Sequence, residues 1–266
     1  MKTDLKTAVL LLIVFIVTIV GTVLFAIYIL SSLSTLNVKL YSTPTESLMY
    51  LGYLIIALLV GTILTLFAIK RKMFKIMKII FIIVSGLILL SFFSFLLPAI
   101  FAITAAVVVE FYYYKYAGRM GRNVVNILIF ISVGSIIALD LGFLPSVILT
   151  AVIAVYDYIA VFKTKHMITL ANGMKDLAYF SAITLAAIKK NAKIMIGGGD
   201  LIFPAVLVTA TFLYSPIAGF YVFVGAVAGL AVLLLTGQKK KAYPAMSFIG
   251  PAELIALGVY FLIAAL

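Results

Sequence analysis

The sequence contains no cysteine and no tryptophan, and His166 is its one histidine. Without cysteine the chain forms no disulfide, no thiolate metal site and no Cys nucleophile. A single histidine also argues against a metal centre or a catalytic triad, so we expect no metal and no cofactor. Charge is scarce as well, because 11% of the residues are charged and 66% are hydrophobic. Soluble domains are about half apolar and about a quarter charged, so this composition indicates a membrane protein.

Apolar segments of about 20 residues, long enough to cross a bilayer, recur nine times along the chain. The predicted fold is therefore all-α: a polytopic membrane protein with nine transmembrane helices. Pro145, Pro216 and Pro244 each fall at the start of a segment, where proline removes an N–H that has no helical partner. The predicted segments are residues 7–31, 47–69, 76–96, 98–116, 123–141, 145–162, 195–214, 216–236 and 244–265.

The basic residues are distributed unevenly between the loops. With a cytoplasmic N-terminus, 19 of the 20 Lys and Arg residues fall on the cytoplasmic side, and Lys39 falls outside. Cytoplasmic loops carry an excess of Lys and Arg, so this split supports nine spans, with the N-terminus inside and the C-terminus outside. It also accounts for the net charge of +12 without a nucleic-acid partner. We expect a multi-pass protein of the cell membrane that is embedded in the lipid bilayer.

One connection is much longer than the others. Residues 163–194 form a predicted cytoplasmic loop between residues 1–162, with helices one to six, and residues 195–266, with helices seven to nine. Part of this loop, MITLANGMKDLAYFSAITLAAIKK, is amphipathic and typical of an interfacial helix on the membrane surface. A gate or a substrate-docking segment is an alternative, and the two interpretations are compatible.

Two of the eight carboxylates match each other in position. Asp157 precedes Lys163 by six residues, and Asp200 follows Lys193 by seven. At a helical rise of about 1.5 Å per residue, the two acids lie about 9 and about 10 Å from the cytoplasmic edge. The two spans are consecutive and antiparallel, so the carboxylates can meet at one depth.

Two carboxylates in a low-dielectric site cannot both ionise cheaply, so they share a proton, and one is a base while the other is an acid. Such a pair can activate water for attack on an amide carbon, as in aspartic proteases. The spacing alone leaves three interpretations open: hydrolysis, a proton relay in a transporter, and an acid pair that only links helices. Glu253 is a further intramembrane acid, for which a hydrogen bond to a neighbouring helix is the simpler interpretation.

Three short motifs occur in order along the chain: Tyr156-Asp157 on the sixth span, Gly197-Gly198-Gly199-Asp200 on the seventh, and Pro244-Ala245-Met246 at the start of the ninth. Together they resemble the YD, GxGD and PAL motifs of the presenilin and signal peptide peptidase family of GxGD intramembrane aspartyl proteases. The third motif departs from the family pattern, with methionine in place of leucine. The nine-helix plan is similar too, and a cytoplasmic N-terminus resembles presenilins, closest to archaeal presenilin homologues.

The resemblance implies an intramembrane aspartic endopeptidase in which Asp157 and Asp200 are catalytic and the other motif residues shape the substrate site. Its substrates are expected to be transmembrane helices, cut near the cytoplasmic side. The family also implies that residues 193–196 pair with unwound substrate as a strand. For Tyr156, a hydrogen bond near the acids and anchoring at the membrane interface both remain open. The alternative function is a proton-coupled transporter that uses the same acids, and the sequence leaves a homo-oligomer open.

Residues that disfavour a regular helix flank Asp200. The glycines at 197–199 remove side chains beside the acid, so another backbone can approach, and each weakens a helix by about 1 kcal/mol relative to alanine. Pro204 has no N–H to bond the Asp200 carbonyl, so a bend is expected. Gly225 and Gly229 form a GxxxG pattern, which predicts close helix packing.

Overall fold

The computed structural model describes residues 5–35, 44–163, 182–186, 193–236 and 244–265. This described part contains nine α-helices, so the predicted nine-helix plan is confirmed. The helices are α1 Leu5–Thr35, α2 Pro44–Lys70, α3 Phe74–Leu96, α4 Ala99–Lys115, α5 Arg119–Leu141, α6 Phe143–Tyr158, α7 Gly199–Tyr214, α8 Pro216–Thr236 and α9 Met246–Ala264.

Seven of the nine described helices are long and apolar enough to cross a membrane, and the two others are α4 and α7. α7 is apolar but has 16 residues, which give a length of about 24 Å. α6 is extended at its C-terminal end by a π-helical turn, Ile159–Lys163, which brings the span that begins at Phe143 to 21 residues. The chain is therefore a multi-pass membrane protein, as its composition predicts.

The short length of α7 has a local cause. Its predicted start at residue 195 is wrong, because Lys193–Gly197 forms a strand, β2, and the helix begins at Gly199. β-branched residues such as Ile194 and Ile196 favour strands, and three successive glycines disfavour a helix. The predicted domain boundary between residues 194 and 195 falls inside this strand.

The partner of β2 lies in the long cytoplasmic connection. Ala182–Ala186 forms a second strand, β1, which pairs with β2 in an antiparallel two-stranded sheet. Ala182 lies opposite Gly197, and Ala186 lies opposite Lys193. Residues 182–186 are therefore not part of the predicted interfacial helix. The rest of that predicted helix, residues 167–181 and 187–190, lies outside the described residues.

The core of the fold surrounds α7, which packs against α1, α5, α6 and α8. Nine of its residues are buried, among them Leu201, Pro204 and Leu207. Beside it, α8 and α9 pack closely, as the GxxxG pattern predicts. A Cβ added at Gly225 would lie 2.6 Å from the Ala252 carbonyl oxygen, so the two helices can approach because this position has no side chain.

Candidate active site

Asp157 lies in the last turn of α6, two residues before the start of the π-helical turn, and is 6% exposed. π-helical turns widen a helix locally and are frequent at functional sites. The preceding turn is tied to α9, because the Ser247 hydroxyl donates a hydrogen bond to the Ala154 carbonyl at 3.0 Å. The acid is thus held at the end of a span that is itself fixed to a neighbouring helix.

The start of α9 binds the Asp157 carboxylate. The backbone N–H of Met246 donates to Asp157 Oδ2 at 3.0 Å, and the backbone N–H of Ser247 hydrogen-bonds the same carboxylate. The first N–H groups of a helix have no partner within it and carry a positive partial charge, so they favour an anion. Pro244 and Ala245 are buried immediately before the helix. The PAL-like segment therefore binds the acid through its backbone N–H groups.

Asp200 lies in the first turn of α7, three residues after the end of β2. The backbone N–H of Gly197 hydrogen-bonds its carboxylate, and Asp157 is close enough to interact with it electrostatically. The structure thus brings together the two acids, as the sequence predicts, and we call Asp157 and Asp200 the acid pair. The estimate of how far Asp200 lies from the cytoplasmic edge assumed a helix after Lys193, and this assumption is wrong. Residues 193–197 form a strand, which rises about 3.3 Å per residue.

The three glycines before Asp200 lie where the chain changes from strand to helix. Gly197 ends β2, Gly198 precedes α7, and Gly199 is its first residue. A Cβ added at Gly197 would lie 3.3 Å from Asp200 Oδ2, whereas one added at Gly199 would lie 3.4 Å from the outer edge of the Phe203 ring. The clearance at Gly197 is therefore needed by the carboxylate itself, and clearance for a substrate backbone stays a prediction.

Three other predicted residues have definite positions. Pro204 is buried inside α7, which continues through it. The hydroxyl of Tyr156 lies 3.4 Å from Thr62 Oγ1, so this side chain contacts α2. Glu253 is fully buried on α9, and neither of its carboxyl oxygens has a hydrogen-bond partner among the described residues, so the predicted interhelical bond is not found there. Glu253 follows Met246 by seven residues, about 10 Å along the helix axis, which separates it from the acid pair.

A buried amide beside the two-stranded sheet has no counterpart in the sequence-based prediction. Asn126 of α5 is 1% exposed, and its Nδ2 donates to the Ala182 carbonyl at 3.0 Å. Its Oδ1 accepts a hydrogen bond from the Tyr113 hydroxyl at 2.8 Å. The available signal was the amide itself, because a polar side chain inside an apolar span is costly to bury unless it is hydrogen-bonded.

The groups that converge at the site are two carboxylates, backbone N–H donors and apolar walls. Within the part of the chain that the structure describes, no three His, Cys, Asp or Glu residues are grouped as metal ligands. His166 lies outside that part. The chemistry that these groups can perform is acid–base catalysis on a water molecule.

Comparison with known proteins gives a family and a fold. The family described as "Signal-peptide peptidase, presenilin aspartyl protease" matches residues 12–266. A solved structure titled "Structure of a presenilin family intramembrane aspartate protease in C222 space group" is similar with a TM-score of 0.69 and 23% identity, covering 95% of this chain and 99% of the other. A second solved structure, titled "Structure of a presenilin family intramembrane aspartate protease in P2 space group", is similar with a TM-score of 0.61 and 25% identity. The match covers 91% of this chain and 95% of the other. No curated protein sequence matches the chain.

Proposed function

Because the chain belongs to the signal-peptide peptidase and presenilin aspartyl protease family, we propose that Asp157 and Asp200 are the catalytic pair of this intramembrane aspartyl protease. Its substrates are transmembrane segments within the bilayer. The proton-coupled transporter has no support in the family or in the fold. The observation that carries the proposal is the convergence of the two carboxylates. Asp157 accepts backbone hydrogen bonds from the start of α9, and Asp200 accepts one from Gly197 of its own motif.

The hydrogen bonds support a division of roles within the acid pair. Asp157 accepts two N–H bonds at the start of α9, and Asp200 accepts one from Gly197. Hydrogen bonds to a carboxylate favour its ionised form. We therefore assign Asp157 as the base that removes a proton from the attacking water and Asp200 as the acid that polarises the scissile carbonyl. The carbonyl oxygen takes the proton from Asp200 as the C–O bond to the water oxygen forms, which gives a neutral tetrahedral intermediate.

The substrate site is proposed to lie along β2. A transmembrane helix must unwind before its amide bond can be attacked, and an unwound segment can add as a strand to an open sheet edge. Among the described residues β2 has one neighbouring strand, β1, which supports an open edge on its other side. Because β2 ends three residues before Asp200, a strand paired there extends toward the acid pair.

The remaining motif residues are proposed to shape this site. Gly197, Gly198 and Gly199 carry the chain from strand to helix beside the acid pair. Pro244, Ala245 and Met246 deliver the N–H groups that hold Asp157. Tyr156 is proposed to link α6 to α2 at the same level as Asp157, because its hydroxyl lies near Thr62.

Location and assembly also belong to the proposal. We propose the cell membrane as the location, and the split of Lys and Arg residues supports a cytoplasmic N-terminus and an external C-terminus. Single cysteines introduced into this cysteine-free chain would be labelled from one side of sealed vesicles, and external labelling between residues 163 and 194 would contradict the orientation. A homo-oligomer stays a prediction, and native mass spectrometry of the detergent-solubilised chain would test it.

Proteolysis of a single-span reporter in liposomes tests the catalytic assignment. Asp157→Ala and Asp200→Ala are each expected to abolish cleavage. Asp140→Ala, which removes an acid near the C-terminal end of α5, serves as the control and should cleave like the parent. A transition-state-mimicking aspartyl protease inhibitor should bind the parent. The assignment is wrong if both pair variants cleave as well as the parent.

A further inference from the structure

β1 begins at Ala182, and a side chain of α5 holds this strand end. Asn126 Nδ2 donates to the Ala182 carbonyl at 3.0 Å, and the Tyr113 hydroxyl of α4 donates to Asn126 Oδ1 at 2.8 Å. Asn126 and Tyr113 are each 1% exposed, so water does not compete for either bond. We call Tyr113, Asn126 and the Ala182 carbonyl the amide anchor.

The amide anchor is connected to the acid pair through the two-stranded sheet. Ala182 lies opposite Gly197, the last residue of β2. The N–H of Gly197 in turn hydrogen-bonds the Asp200 carboxylate. The adjacent pair, Ile183 and Ile196, is buried in the core, which keeps this end of the sheet against the helices. The anchored end of the sheet is therefore the end from which the chain reaches Asp200.

We propose that Asn126, oriented by Tyr113, is a positioning residue that fixes the end of β2 relative to the acid pair. Only a side chain with both a donor and an acceptor can connect a hydroxyl group to a backbone carbonyl in this way. By fixing β2, Asn126 sets which peptide bond of a strand paired to β2 reaches Asp200. This inference rests on the proposed function, because it concerns how that same site selects a bond.

A purely structural role for Asn126 makes a different prediction from a positioning role. Loss of a structural bond lowers the amount of folded enzyme, but the molecules that remain folded cut the same bond at the same rate. Loss of positioning changes the folded molecules themselves. Small displacements of reacting groups lower rates strongly. The rate per active site and the distribution of cleavage sites therefore separate the two roles.

The test uses the full-length protein in liposomes with a single-span reporter. Active enzyme is counted by titration with a transition-state-mimicking aspartyl protease inhibitor, and the products are identified by mass spectrometry. Asn126→Leu keeps the approximate volume but removes the donor and the acceptor, while Tyr113→Phe removes the hydroxyl that orients the amide. Ser132→Ala is the matched control, since Ser132 is a fully buried hydroxyl on the same helix, outside the amide anchor.

For Asn126→Leu we expect kcat per active site to fall about tenfold, equivalent to about 1.4 kcal/mol of barrier, and cleavage to spread to neighbouring bonds. Tyr113→Phe should lower kcat per active site about threefold and should also spread cleavage to neighbouring bonds. The smaller effect is expected because the Asn126 donor to Ala182 remains but is no longer oriented. Ser132→Ala should match the parent in rate and cleavage pattern.

The inference is overturned if Asn126→Leu cuts the parental bond with the parental kcat per active site. If Asn126→Leu yields no folded protein, Tyr113→Phe decides in the same way. Asp200→Ala in the same assay separates this inference from the proposed function. If Asp200→Ala is inactive and Asn126→Leu cleaves like the parent, the positioning role of Asn126 alone is overturned. If Asp200→Ala is active, both the positioning role and the proposed function are overturned.

Discussion

α2 and α7 both pack against α6, the helix that carries Asp157, but they are built in opposite ways. α2 has 27 residues, and no residue in its most apolar 18-residue stretch is buried. α7 has 16 residues, of which nine are buried, and it carries Asp200 in its first turn. Asp200, one of the two proposed catalytic acids, thus lies on a helix of 16 residues that lacks an obvious membrane-spanning length.

This difference shows that apolar length and burial report different properties in a bilayer. Lipid chains are as apolar as leucine, so hydrophobicity alone does not bring helices together, and close packing and hydrogen bonds do. An apolar helix such as α2 can therefore face lipid along most of its length. A pair of carboxylates needs partners, which the packed region of α6, α7 and α9 provides.

Among three tests of this comparison, the largest effect is expected for a glycine in the packed region, compared with a glycine on α2. Gly225→Val on α8 should lower the free energy of unfolding by about 3 kcal/mol, because the new side chain meets the Ala252 carbonyl and Ala256. Gly61→Val on α2 should change it by less than about 0.5 kcal/mol, since nothing lies within 4 Å of an added Cβ there. Thermal or denaturant unfolding in detergent measures both. Equal losses at the two positions would contradict the comparison.

A smaller effect is expected at the end of β2. Gly197→Ala should lower kcat about tenfold, because its methyl group would lie 3.3 Å from Asp200 Oδ2 and displace the carboxylate by a few tenths of an ångström. Gly258→Ala on α9 has open space around the added methyl group and serves as the control. Reporter cleavage at saturating substrate gives kcat for both variants. A Gly197→Ala enzyme as fast as the Gly258→Ala enzyme would show that Asp200 does not need this clearance.

The smallest effect is expected at the position that departs from the PAL motif. Met246→Leu should leave kcat within about twofold and stability within about 1.5 kcal/mol, because the two side chains have similar volumes and the N–H that binds Asp157 is retained. Cleavage of the same reporter measures this. A loss of about tenfold or more would mean that the buried Met246 side chain, and not only its backbone, positions the acid.

Much of the fold and of the candidate site could be predicted from the sequence because the signals are local. Apolar segment length and prolines at helix starts predict the helices. The three motifs identify Asp157 and Asp200 as the candidate catalytic acids. The two-stranded sheet could not be predicted in the same way. Its strands belong to one connection and pair across residues 187–192, and the apolar residues of Ala182–Ala186 fit a helix as well as a strand. The hydrogen bond from Asn126 to Ala182 was missed because its acceptor is a backbone carbonyl, which has no sequence signature.

The central claim, that Asp157 and Asp200 share the proton work of peptide hydrolysis, is tested most directly by the reporter cleavage rate of Asp157→Asn and Asp200→Asn. Asparagine keeps the shape and an oxygen that can accept the Met246 or Gly197 N–H bond, but it cannot exchange a proton as a carboxyl group does. With the enzyme folded and the substrate saturating, we predict that each variant is at least about 10³-fold slower than the parent. A variant that retains about a tenth of the parental rate would contradict the account.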